Sequence, residues 1–181
     1  MAPTPDDDAL CIDDVVAEYQ RVLREEAPPR TGRLVELLVE LHATNLSQWG
    51  CEDRVRAPGV DIATIAQAKE TIDRLNAQRH RLVEQIDVAI DGTMAQVPSA
   101  TPATESPAMV FDRLSVLVIR IHHTELAVGS DGSRAESYAP RLPVLYGQLA
   151  VLTEALDALL ADVREGRRRF VPYQSLKLYA Q

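Results

Sequence analysis

Apolar residues recur along this chain in steps of three and four, the spacing that lines them up on one face of a helix with 3.6 residues per turn. From about Asp13 to Glu26 the positions Val15, Val16, Tyr19, Val22 and Leu23 follow that rule, Asp13 or Asp14 can cap the start, and Ala27-Pro28-Pro29 ends the segment. Thr31 can cap a second helix from about Gly32 to Arg56, broken by Pro58-Gly59. Its stripe reads Leu34, Leu38, Leu41, Asn45, Trp49, Glu52, so it starts apolar and turns polar. A third helix begins at Asp61 and is predicted to run to about Ala95, with Ile65, Ile72, Leu75, Leu82, Val83, Ile86 and Ile90 on one side and Asn76 and Arg79 among them.

The segment Val97 to Ser106 reads as a loop that delivers Ser106 as a cap and Pro107 as first helical residue. The fourth helix, about Pro107 to Val128, is almost continuously apolar through Leu114, Val116, Leu117, Val118, Ile119 and Ile121, which predicts a central position. A polar loop from Gly129 to Arg141 precedes a fifth helix, about Leu142 to Arg169, with Leu145, Leu149, Leu152, Leu156, Leu159 and Val163 on its stripe. The tail from Val171, with Tyr173, Leu176, Leu178 and Tyr179, is apolar enough to dock on the body or on a partner. No segment alternates strictly and no repeat is visible. The pattern predicts an all-α fold, an antiparallel bundle of about five long helices, forming one domain over residues 11–181 after a disordered leader at 1–10.

Composition narrows the functions open to such a bundle. The net charge of −8 argues against binding DNA, RNA or anionic lipid, each of which needs a cationic footprint. The one basic run, Arg167-Arg168-Arg169, is short and better placed to complement a helix dipole. The N-terminus lacks the cationic start and apolar stretch of a secretory signal, no run approaches about 18 uninterrupted apolar residues, and the two cysteines form no framework. The expectation is a cytoplasmic protein without cofactor or metal, lacking Glu-x-x-His, zinc and phosphate-loop motifs.

Ionisable residues on packing stripes need an explanation, because an unpaired buried charge costs several kcal/mol, of the order of a whole domain's stability. Three helices share this irregularity: His42, Asn45, Trp49, Glu52, Asp53 and Arg56 on the second, Asn76, Arg79 and His80 on the third, Asp112, Arg113, Ser115 and His122 on the fourth. They can form one polar seam. Its bland explanation is a set of register-fixing ion pairs, Glu52 or Asp53 with Arg79 and Asp112 with Arg113 or Arg56. Its functional explanation is a sugar pocket, which needs an aromatic ring face beside amides and carboxylates that bind hydroxyls.

The strings Leu41 to Asp53, Asp73 to His80 and Phe111 to Ser115, with the ending Gly166 to Tyr179, resemble a helical bacterial family long catalogued as of unknown function. Within that family the chain most resembles the actinobacterial methylmannose polysaccharide hydrolases, endo-α-mannosidases that cut an α-1,4-linked 3-O-methylmannose polysaccharide into shorter oligosaccharides. The resemblance implies a helical bundle, a homodimer and a mannose-containing ligand. Glycoside hydrolysis normally needs two carboxyl groups, roughly 5–5.5 Å apart for retention or about 6.5–9.5 Å for inversion. Glu52 and Asp53, adjacent on a helix, diverge too far to be that pair, so one of them is expected to face Asp112 across the sugar. Arg79 would keep one acid ionised, Trp49 would stack on a ring, and His42, Asn45, Asn76, Arg56 and Arg113 would complete the polar wall. The alternative is a non-catalytic scaffold or sugar-binding accessory protein of polysaccharide biosynthesis. Two carboxylates open to one groove without their own arginines would favour the hydrolase.

Overall fold

The computed structural model describes residues 10–26, 32–130 and 133–176. Five long helices, α1 (Ile12–Leu23), α2 (Arg33–Val55), α3 (Ile62–Asp91), α4 (Pro107–Gly129) and α6 (Arg141–Arg164), carry the fold, with a short α5 (Ser133–Tyr138) inside the segment expected to be a loop. Two-residue strands β1 (Thr101–Pro102) and β2 (Arg168–Arg169) pair in parallel, a pairing absent from the periodicity because it spans only two residues a side. Residues 1–9 of the expected leader, the Ala27-Pro28-Pro29 stop and the Thr31 cap lie outside the described residues.

Helix α4 is central, as its apolar run predicts. Phe111, Leu114, Val118 and Ile119 are buried, and the helix packs against α1, α2, α3, α5 and α6. Around it the core closes with Ile12, Val15 and Tyr19 of α1, Leu38 and Leu41 of α2, Ile86 and Ile90 of α3, and Leu156, Leu160 and Val163 of α6. Helices α2 and α3 form an antiparallel hairpin in which Gln78 donates to Glu40 across the pair at 3.2 Å. Asp61 caps α3 by accepting from the Thr64 backbone N–H at 2.9 Å, and that bond holds its carboxyl below the usual range.

Four sequence expectations need correcting. Helix α3 stops at Asp91 rather than near Ala95, and its first turns stand in solvent, with Ile65 exposed rather than on the inward stripe. Asp13 and Asp14 lie inside the first turn of α1, where acids favour the helix dipole, and do not cap it. Ser106 precedes α4 as expected but its hydroxyl makes no cap bond. The buried carboxylate of Asp87 on α3 accepts instead from the Ala108 N–H at 2.9 Å. The last helix ends at Arg164, five residues early, because Gly166 takes a φ of 73° that turns the chain into β2, and a Cβ there would lie 2.8 Å from Val97 Cγ2. The basic run beyond that turn is tied back to the helix end, Arg167 and Arg168 both pairing with Asp162.

The tail docks on the body over its described part. Phe170 is buried with its N–H on Gln96 Oε1 at 2.6 Å, the Tyr173 N–H reaches the other oxygen of Asp87 at 2.8 Å, and the Tyr173 hydroxyl meets His80 Nδ1 at 2.8 Å. Leu178 and Tyr179 lie outside the described residues.

Helix α6 is covered on one side only. Leu145, Leu156, Leu160 and Val163 face the core, while Val144, Tyr146 and Val151 are 60%, 45% and 67% exposed. An 18-residue window within the span Ala135–Arg164 reaches a mean hydropathy of 1.4, so the span is long and apolar enough by length and composition to cross a membrane. The stripe read from the sequence marks only the buried side of this helix.

Candidate functional site

The polar seam exists, but it divides in two. Its inner half joins four helices. Arg79 of α3 donates through Nε to Asp112 Oδ1 at 2.8 Å and through Nη2 to Oδ2 at 2.6 Å, and Asn45 of α2 donates to the same carboxylate at 3.0 Å. Asn45 also reaches Ser115 Oγ at 3.1 Å, and that hydroxyl meets His42 Nδ1 at 2.9 Å. The His42 ring stacks on Tyr19 of α1 with centroids 4.3 Å apart.

Burial decides what these groups can do. His42 and Ser115 are fully buried and Asn45 nearly so, hence they hold the bundle together and reach no sugar hydroxyl. Desolvation pulls the His42 pKa down to about 4, so the ring is neutral at pH 7, and the Tyr19 phenol is pushed up by its own burial. Among the described residues the buried Tyr19 hydroxyl has no hydrogen-bond partner, whereas the backbone of Tyr19 is a hydrogen-bonding neighbour of the His42 ring.

The outer half lies at the C-terminal end of α2. Trp49 stacks on His123 with centroids 5.1 Å apart, so one of its faces is occupied by protein instead of waiting for a sugar. Burial, and then the neighbouring His122, lower the pKa of His123. Glu52 pairs with Arg56 at 2.9 Å one turn along the same helix, Asp53 is exposed, and Arg113 of α4 pairs with Glu105 at 2.6 Å. Asn76 is half-buried on α3. Glu125, which the sequence sets beside His122 and His123, accepts instead from the Tyr146 hydroxyl, linking α4 to α6.

The carboxylates expected to face each other are therefore not brought together within the chain. Asn45 touches Asp112, and Glu52 sits about two turns, roughly 10 Å, further along α2. The expected pairings of Glu52 or Asp53 with Arg79, and of Asp112 with Arg113 or Arg56, are replaced by Arg79–Asp112, Arg56–Glu52 and Arg113–Glu105. A local partner one turn away, or eight residues back in the preceding loop, needs no helix crossing and wins for both surface pairs.

What the seam borders is an open groove of about 840 Å³ between α4 and α6. Asp112, Arg113, Val116, Leu117 and Arg120 form one wall, Val144, Gly147, Gln148, Val151, Leu152 and Ala155 the other, and Arg79 closes one end. Periodicity singled out Asp112, Arg113 and Arg79 but missed Arg120 and Gln148. Arg120 continues the row of Arg113 and Val116 at helical spacing, and Gln148 lies on the second, outward stripe of α6. In this groove Asp112 is the only carboxylate among the lining residues, gripped by an arginine with both oxygens engaged. Such a carboxylate is fixed in direction and position, and is suited to orient a ligand.

An all-α bundle with a polar seam opening on a half-apolar, arginine-rich groove is the class these features define. The chain belongs to the DUF4254 family, described as proteins of unknown function, whose profile matches residues 35–171. That span takes in α2 from Val35 onward, α3, α4 and α6, with every residue of the groove. A search of curated proteins and a search of solved structures each returned no significant match.

Proposed function

We propose that the protein is carbohydrate-active and holds a stretch of α-1,4-linked 3-O-methylmannose polysaccharide in the α4–α6 groove, acting on it as an endo-α-mannosidase. The observation that carries this reading is the groove itself. Its volume is that of sites which bury a ligand of several rings, and it is open along its length, as an endo-acting site requires. Its Val116, Val144, Val151 and Ala155 suit the methyl ethers and C–H faces of such a chain, while Gln148, Arg113 and Arg120 suit its oxygens. The substrate itself comes from the sequence resemblance. Asp112, oriented by Arg79, takes the role of the base or nucleophile in this reading.

A specific observation favours the second reading, a non-catalytic sugar-binding accessory protein. Hydrolysis needs a second, protonated carboxyl, and the groove walls supply only Asp112. One experiment separates the two. The protein is incubated with methylated and unmethylated α-1,4-mannan oligosaccharides, the products are sized, and binding is measured calorimetrically on the same samples. Shorter products from the methylated chain support the hydrolase, binding without cleavage supports the accessory protein, and neither binding nor cleavage removes the saccharide reading.

A further inference from the structure

The charge of the groove runs against the charge of the protein. The chain carries −8, yet the charged residues lining the groove are three arginines and one aspartate. Arg79 is spent on Asp112. Arg113 is exposed, and its partner Glu105 is not among the groove-lining residues, so the pair is a surface contact of little strength that a ligand can outcompete. Arg120 is exposed with no ion-pair partner among the described residues. It stands two turns from Arg113 on the same wall, about 10 Å away, with Val116 and Leu117 between.

A neutral methylated saccharide gives these two guanidiniums nothing to neutralise. Planar, permanently charged fork donors fit phosphate and carboxylate oxygens, and a cleft lined by one sign of charge concentrates the opposite sign. The opposite wall has no cation or acid of its own: Val144, Gly147, Val151, Leu152 and Ala155 are apolar or small, and Gln148 is neutral. The groove is thus amphipathic across its width.

Building on the reading that this groove holds a saccharide, we infer that its ligand carries an acidic substituent, a phosphate or carboxylate, bound between Arg113 and Arg120 while the sugar body lies against α6. Arg113 and Arg120 set specificity by charge.

Calorimetric titration tests this with three probes of equal length: a neutral 3-O-methylated α-1,4-mannotetraose, the same tetraose with a terminal 6-phosphate, and the same tetraose ending in a uronate. Inorganic phosphate alone serves as control. At low salt the acidic probes bind at least tenfold more tightly than the neutral one, and the advantage shrinks as salt rises. The ratio falls towards one in Arg120→Gln and Arg113→Gln and is restored in Arg120→Lys, with helix content checked by circular dichroism in each. A preference for the phosphate or the uronate alone identifies which acidic group is read. Equal binding of neutral and acidic probes overturns the inference and leaves the saccharide reading standing, whereas binding of none of the three overturns both. Inorganic phosphate binding as tightly as the phosphorylated tetraose also overturns it, since the arginines then hold a bare anion. So does a change of oligomeric mass in the arginine variants without a change in the binding ratio, which assigns the arginines to a contact between copies.

Discussion

Arg79 meets Asp112 along two parallel hydrogen bonds, Nε to Oδ1 at 2.8 Å and Nη2 to Oδ2 at 2.6 Å, across the contact between α3 and α4. The carboxylate is 9% exposed and the guanidinium 32%, so the pair sits at the boundary between the core and the groove. Removing one partner leaves a partly desolvated charge behind, which costs more than the pair itself contributes. Asp112→Leu and Arg79→Leu should each lower stability by about 2–3 kcal/mol, below the fully buried range because Arg79 keeps contact with water. The double Leu variant should recover a large part of that loss. Urea denaturation of the four proteins gives the coupling directly, and strictly additive losses would show that the two side chains do not act as a unit.

His42 gives the fold a dependence on pH. Its folded pKa of about 4 lies below the ordinary histidine value of 6.5, so between those two values the unfolded chain binds a proton that the folded chain does not. Stability contributed by the neutral ring is complete above about pH 6.5, is lost as pH falls towards 4, and changes no further below it. The full loss is on the order of 3 kcal/mol, from about 1.4 kcal/mol per unit of pKa. Denaturation midpoints measured from pH 7.5 to 4.5 should fall more steeply in the wild type than in His42→Gln. Parallel curves would mean that His42 titrates as it does in the unfolded chain.

How far the sequence reveals this arrangement depends on how local each feature is. Helical period identified α2, α4 and the buried stripe of α6, because Leu38, Leu41, Leu114 and Leu156 repeat at intervals the helix itself imposes. It also found Asp112, Arg79 and Asn45 as polar intruders on those stripes, and these three do meet. Nothing in the period says which partner an intruder takes. Glu52 and Arg113 found acceptable partners nearby in the chain, so the cross-helix pairs expected of them do not form. Trp49 was legible as an aromatic on the seam but not as one already stacked on His123, a contact set by how α2 crosses α4. Asp87 was invisible for the same reason, since its two backbone partners, Ala108 and Tyr173, lie in segments remote in sequence.

Val144, Gly147 and Val151, the exposed apolar side of α6, are also the wall on which the saccharide is placed, so a second copy seated on that face and the saccharide exclude each other. Light scattering at micromolar concentration should therefore give a mass that does not depend on Val151. A dimer of twice 20.0 kDa that dissociates in Val151→Glu with helix content intact would give this face to a partner copy and remove it from saccharide binding.

The three carboxylates on the seam give the last prediction, and geometry now ranks them. Asp112 is the one that lines the groove, whereas Glu52 is engaged with Arg56 on the surface of α2 and Asp53 stands exposed beside it. Asp112→Asn keeps the shape and the Asn45 contact but removes the charge that Arg79 orients. If Asp112 is the base or nucleophile, this variant should bind methylated mannan oligosaccharide and lose cleavage by several orders of magnitude, because it removes stabilisation that exists in the transition state and not in the ground state. Glu52→Gln and Asp53→Asn alter groups at the C-terminal end of α2, and neither should change cleavage more than a few-fold or change stability by more than about 0.5 kcal/mol. Activity, binding and melting are measured on all three proteins. A collapse of cleavage in Glu52→Gln or Asp53→Asn with binding intact would move the catalytic centre to the end of α2 that carries Trp49 and His123, and would leave the α4–α6 groove without the role proposed for it.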